Sequence, residues 1–193
     1  MSRQVSLFTP EVDWSPPSSL PDLSGYSLVL KWMTKQMSYE NDKIFHNSLY
    51  DMGWLKRYGI KVNGTIHDTM FAAPLIDENQ YSYSLNNLGE KYCGETKDES
   101  LLIEAAQAYG LNPKSEMYKL PARYVGPYGE QDAGLTLKLW GVFKELLKSE
   151  NVIKIYDLET SLIPILLDMR HKGVPVDLDV AETVSKKLKK EED

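Results

Sequence analysis

Two short acidic patterns in this chain carry residue types from which a reaction can be built. One is His46-Asn47-Ser48-Leu49-Tyr50-Asp51, and the other, well downstream, is Tyr128-Gly129-Glu130-Gln131-Asp132. Each sets an aspartate four residues after a polar partner. On a helix, Asn47 and Asp51 would therefore share a face, as would Tyr128 and Asp132. Two aspartates delivered from separate helices can hold a divalent cation against a phosphate, since magnesium prefers oxygen ligands and completes its shell with water and substrate oxygens. A phenol one turn before the second aspartate can orient an attacking water. The same spacings also arise from solvated or helix-capping aspartates, and spacing alone does not separate the two.

The elements that must position these residues follow from the apolar pattern. Leu28, Leu30, Trp32, Met33 and Met37 predict a short helix. Lys43-Ile44-Phe45 reads as a buried strand that empties into a helix bearing Leu49, Met52, Trp54 and Leu55 and stopping at Gly59. A turn at Asn63-Gly64 leads to a second short strand, and Asp68-Thr69 caps a helix through Ile76. Ser84 caps a helix over 85–92, and another spans 99–109. A long helix follows Pro121, with Pro127 near its first turn and Leu135, Leu139, Val142, Phe143 and Leu146 along its apolar face. A second long helix carries Leu158, Leu162, Ile165, Leu166 and Met169, with Pro164 expected to kink or restart it. Residues 174–177 read as a short extended piece and 179–190 as a final amphipathic helix. Residues 9–25, rich in proline and serine, read as an extended leader.

Composition bounds the function class. An apolar fraction of 42% and a charged fraction of 26% are those of an ordinary globular protein. A net charge of −6 argues against duplex binding by charge alone, but not against a nuclease whose acidic site needs cations before it tolerates phosphate. The single cysteine, Cys93, excludes an internal disulfide and a cysteine-rich zinc site, and fits a reducing cytoplasm. There is no signal-peptide pattern at the N-terminus and no apolar run long enough for a membrane span, so a cytoplasmic chain is expected.

Four ordered runs resemble the A-family DNA polymerases, the group related to bacterial polymerase I and its phage counterparts. IFHNSLYDMGWL resembles their second exonuclease motif, and IHDTMFAAPLIDENQYSYSLNNLGEKYCG the stretch that follows it. YVGPYGEQDAGLTLKLW resembles their third motif in its tyrosine form, and LETSLIPILLDMRHKGVPVDLD the segment that opens the polymerase domain. The leader is similar to the start of the phage members. The resemblance implies an α/β, ribonuclease H-like 3′–5′ proofreading exonuclease acting on single-stranded 3′ DNA ends with two Mg²⁺ or Mn²⁺ ions. By the same resemblance Asp51 and Asp132 match metal-binding, catalytic aspartates. Tyr128 matches the water-orienting tyrosine, and Asn47 a residue near the substrate.

The pattern departs from the family at one place. An Asp-x-Glu strand and the two strands after it are expected before the first helix, yet Ser24-Gly25-Tyr26-Ser27 runs straight into it. Asp157-Leu158-Glu159 lies too late and reads as a helix start, while Glu11-Val12-Asp13 has the order reversed. The expectation is an incomplete sheet, a helix-dominated fold, weakly held or absent metal and impaired hydrolysis. The organisation expected is a leader over 1–27, an exonuclease-like domain over 28–150, and the truncated start of a polymerase domain over 151–193. The remainder of a polymerase chain would be missing, so no polymerase activity is expected. A non-catalytic single-strand-binding remnant and a helical interaction protein are the alternatives, with a free-standing ribonuclease D-type exonuclease a weaker rival. Trp54, Trp140, Tyr81, Tyr83 and Tyr92 read as core aromatics rather than base-stacking ones. His46 reads as a packed or surface histidine, and Lys186, Lys187, Lys189 and Lys190 as a solvated face.

Overall fold

A computed structural model describes residues 4–5 and 27–192; the leader expected over 9–25 lies outside the described residues. The order is β1 (Gln4–Val5), α1 (Ser27–Met37), β2 (Lys43–Phe45), α2 (Ser48–Arg57), β3 (Ile66–Asp68), α3 (Thr69–Ile76), α4 (Leu85–Cys93) and α5 (Ser100–Ala108). After a 3₁₀ turn at Met117–Lys119 come α6 (Ala122–Ser149), α7 (Ile153–Lys172), β4 (Val174–Pro175) and α8 (Leu178–Glu192). Helices therefore dominate. The two expected strands do pair in parallel, Lys43 opposite Ile66 and Phe45 opposite Asp68, and β1 pairs antiparallel with β4. No helix among the described residues is long and apolar enough to cross a membrane.

Two parallel strands are too few to hold a sheet on their own. Helices on both sides supply what further strands would have. On one side the main core gathers Ala72, Ala73, Leu88, Leu139, Trp140, Phe143, Leu147 and Tyr156 from α3, α4, α6 and α7, with Ile44 of β2 packed against it. On the other, Met52, Ile163 and Leu167 close over Phe45, Leu49 and Ile66. The Asp68 amide at the end of β3 donates to the Tyr156 hydroxyl at 2.9 Å, so a phenol from α7 satisfies an edge donor that a neighbouring strand would otherwise accept. His67 stacks on Trp140 with ring centroids 4.2 Å apart.

The α1–β2 connection is closed by a lysine. Lys43 is buried, and its Nζ donates to the Tyr39 and Asn41 carbonyls, each at 2.8 Å, to Asn41 Oδ1 at 3.0 Å and to the Asn63 carbonyl at 3.2 Å. Asn63 in turn donates from its backbone to Met37 O and from its side chain to Ser38 O. Together these bonds dock the turn at 59–64 against the α1–β2 connection. Gly64 sits in it at φ 86°, and a Cβ there would lie 2.2 Å from the Asn41 carbonyl oxygen. Gly64→Ala is expected to cost about 2–4 kcal/mol through combined left-handed strain and backbone collision, read as a lowered denaturation midpoint with an unchanged m-value. A midpoint equal to the parent's would refute this account of the junction.

Several local expectations need correction. Helix α6 begins at Ala122, so Pro127 is its sixth residue and not in the first turn; the helix tolerates the lost bond to the Arg123 carbonyl. Helix α7 runs from Ile153 to Lys172 with Pro164 inside it and no restart, and Asp157 and Glu159 fall in its second turn. Among the aromatics, Trp140 is buried, Tyr92 packs edge-on against Phe143 and Tyr83 packs against the main core, but Tyr81 is fully exposed. The lysines of α8 are solvated, with Lys186 paired to Glu182 one turn away.

Candidate active site

Asp51 is in the first turn of α2, which starts where β2 ends. Asn47 is not on that helix: it is the N-cap, at φ 70° and ψ 58°, a left-handed conformation that asparagine tolerates better than most residues. The shared face expected for Asn47 and Asp51 is therefore not formed, because the backbone turns through Asn47 before the helix begins. Tyr128 and Asp132 both lie within α6, one turn apart as the spacing requires.

Between β2 and α2 the chain is gripped by Asp68. This side chain is completely buried and accepts from the Asn47 amide at 3.1 Å, the Ser48 amide at 2.6 Å and the Met70 amide at 2.8 Å. Its cap on α3 was legible, since an aspartate before a helical run is a common N-cap. Its reach back to the start of α2 was not. His46, beside it, bonds Thr69 Oγ1 through Nδ1 at 2.9 Å, and burial holds its pKa below the usual histidine value against the opposing pull of Asp68. It is a packed histidine.

Asp51 faces an apolar cavity of about 320 Å³ lined by Leu30, Met33, Phe45, Trp54 and Tyr58 among others. Enclosure of its carboxyl, reinforced by the negative charge of Asp68, pushes its pKa up to about 6. The residue as a whole remains exposed by area, so solvent screens part of that field.

Asp132 and Tyr128 have a partner that spacing never indicated. Lys97, on the segment between α4 and α5, places its Nζ 2.9 Å from Asp132 Oδ1 and donates to the Tyr128 hydroxyl at 3.0 Å. Glu99 Oε1 is 3.9 Å away, and the ammonium also lies over the Tyr128 ring, 4.6 Å from its centroid. Only 9% of the Lys97 side chain is exposed. Burial by itself would lower the lysine pKa, but the hydrogen bond to Tyr128 and the adjoining negative charge of Asp132 outweigh it and hold the ammonium above its ordinary value. The Asp132 contact is an ion pair by distance without hydrogen-bond alignment, which leaves Oδ1 buried and lacking a hydrogen bond. The segment carrying Lys97 is pinned along α6. The Asp98 amide donates to Gln131 Oε1 at 2.9 Å, and Lys138 binds both Glu95 oxygens at 2.7 and 2.8 Å.

A two-ion centre needs several free carboxylate oxygens from different elements around one point. Here Asp68 spends both oxygens on backbone amides, Asp132 faces an ammonium, and Asp51 has Asp68, not Asp132, as its charged neighbour. Among the described residues no three His, Cys, Asp or Glu side chains converge as metal ligands. The carboxylates of the described residues do not fit a two-ion centre.

Comparison with known proteins completes the description. The profile of a 3′–5′ exonuclease family found in A-family DNA polymerases matches residues 25–155. The chain is 34% identical over 161 residues to a DNA-directed DNA polymerase of Pseudomonas phage M6, covering 82% of this chain and 24% of that protein. It is 32% identical over 171 residues to the DNA polymerase DpoZ of Vibrio phage phiVC8, covering 79% and 27%. Against DNA polymerase I of Rhizobium leguminosarum identity is 30% over 148 residues, covering 76% and 14%. The chain thus spans about a quarter of the length of these phage relatives.

Proposed function

Because the chain belongs to the 3′–5′ exonuclease family of the A-family DNA polymerases, we propose that it is a proofreading-type domain that receives single-stranded 3′ DNA ends but hydrolyses them poorly. In this reading residues 28–150 are the exonuclease-like domain, and 151–193 the opening of a polymerase domain. The observation that carries it is the placement of Tyr128 and Asp132 one turn apart on α6, their polar groups converging on one buried point. A phenol held there orients a water or a terminal phosphodiester by hydrogen bonding, and Asp51 and Asn47 stand at the start of α2 as the second contributing element.

The family's reaction is metal-dependent, with divalent ions activating water and stabilising the departing oxygen. Asp68 and Asp132 are committed to backbone amides and to Lys97, which leaves Asp51 alone, and the sequence lacks an early Asp-x-Glu pair to join it. Impairment is the consequence.

The test is Mn²⁺-dependent shortening of a 5′-labelled, 3′-single-stranded DNA, with Asp132→Ala and an EDTA blank alongside. The expected result is salt-sensitive binding with no shortening above the blank. Shortening that both controls abolish would overturn the impairment and leave a working exonuclease. Absence of both binding and shortening would favour a helical interaction protein instead.

A further inference from the structure

Lys97 Nζ sits in an all-oxygen cage: Asp132 Oδ1 at 2.9 Å, the Tyr128 hydroxyl at 3.0 Å and Glu99 Oε1 at 3.9 Å. Two carboxylates and a phenol oxygen are the donor types that suit a hard divalent cation, and the space they surround is filled by the ammonium of a nine-tenths buried side chain. We propose that Lys97 is the resident cation of this site and keeps a divalent ion off Asp132. A metal binding here would have to displace a charge tethered to the same chain.

Three features support a permanent occupant over a passing contact. The segment is clamped to α6 on both sides of Lys97, by Glu95 with Lys138 and by the Asp98 amide with Gln131. The ammonium also lies over the Tyr128 ring, a second attraction that a hydrated divalent ion cannot reproduce at the same place. Behind these contacts, a Cβ at Gly89 would come within 2.7 Å of Leu135 Cδ2 and 2.9 Å of the Glu95 carbonyl, so α4 is packed close against both α6 and the Lys97 segment. The ammonium satisfies the electrostatic need of Asp132 while leaving Oδ1 without a well-aligned hydrogen bond. A divalent ion would bind that oxygen directly once the lysine were gone.

The consequence for catalysis rests on the assignment of Tyr128 and Asp132 to the reaction site, but the test does not need cleavage. Mn²⁺ binding to the full chain is followed by the loss of the free-ion electron paramagnetic resonance signal, for the parent, Lys97→Met, Lys97→Arg and the double variant Lys97→Met/Asp132→Asn. Methionine keeps the stem and removes the charge. Lys97→Met is expected to bind Mn²⁺ about tenfold or more tightly than the parent, a change of ~1.4 kcal/mol or more. Lys97→Arg is expected to match the parent, and the double variant to lose the gain. A Lys97→Met chain that binds no better, or a gain that survives Asp132→Asn, would overturn the proposal. In case Lys97→Met does not fold, the parent itself decides the matter through the Lys97 ε-methylene resonance, assigned by its absence in Lys97→Arg. Millimolar Mg²⁺ is expected to leave it unmoved, and a saturable shift would show that the ion displaces the lysine readily and sink the idea. Failure of the exonuclease reading would appear separately, as absent DNA binding, and would not alter either metal titration.

Discussion

Replacing Asp68 with alanine is expected to lower the stability of this fold by about 3–5 kcal/mol, more than most single substitutions achieve. Its carboxylate is fully buried and accepts three backbone amides, those of Asn47, Ser48 and Met70. Hydrogen bonds to a charged acceptor are each worth about 1.5–3 kcal/mol, and buried donors left without one cost about 1–3 kcal/mol, though such terms do not simply add. Alanine would therefore leave the start of α2 and the start of α3 without their common anchor. Asparagine is expected to be milder, since it keeps one acceptor oxygen but turns an NH₂ group toward a backbone donor. Urea unfolding of both variants checks this through the midpoint at constant m-value. An alanine variant within ~0.5 kcal/mol of the parent, the range of an ordinary surface change, would show that Asp68 is not the anchor described. The outcome also bears on function. The same residue sets the left-handed turn at Asn47 that delivers Asp51, so its loss should disorder that half of the site.

The second large effect is expected at Phe143. Its side chain is completely buried at the centre of the main core, and its ring meets that of Tyr92 edge-to-face at 5.0 Å and 86°. Phe143→Ala removes the ring and leaves a cavity among Leu88, Leu139 and Leu147, costing about 3–5 kcal/mol. At ~2–4 °C per kcal/mol for a chain of this size, that is a fall in Tm of roughly 6–20 °C. Phe143→Leu keeps most of the volume and forfeits chiefly the ring pairing, worth about 0.5–1.5 kcal/mol. Near-equal losses for the two variants would mean that the core collapses around the gap, and that α6 is not held by this contact as described.

How far the sequence carried these conclusions can be judged residue by residue. The helical stripe of Leu135, Leu139, Phe143 and Leu146 placed α6 and its buried face, because 3.6-residue periodicity is a property of neighbours in the chain. Asp68 and Ser84 announced helix starts by the same local chemistry, and both side chains do accept the capping amide. Lys43-Ile44-Phe45 and the strand after Asn63-Gly64 were recognisable as a pair, though nothing in them told that a lysine would organise their junction. Asn47 misled, since an i, i+4 pattern assumes helical backbone and the residue turned out to be left-handed.

What the sequence determined by itself is the order of the helices and of the β2–β3 pair, the family, and the helical spacing of Tyr128 and Asp132. These depend on contacts within one turn or on motifs contiguous in the chain. The tertiary structure alone decided that Lys97 reaches the Tyr128 hydroxyl from 31 residues away, that Tyr156 caps the Asp68 amide from 88 away, and that Asp68 ties down Asn47 and Ser48 from 21 and 20 away. Lysine, tyrosine and aspartate are all common in solvated positions, so their types announce no partner. Only when α4, α6 and α7 pack and exclude water do these polar groups have to satisfy one another, and the ammonium of Lys97 then becomes the counter-ion of Asp132.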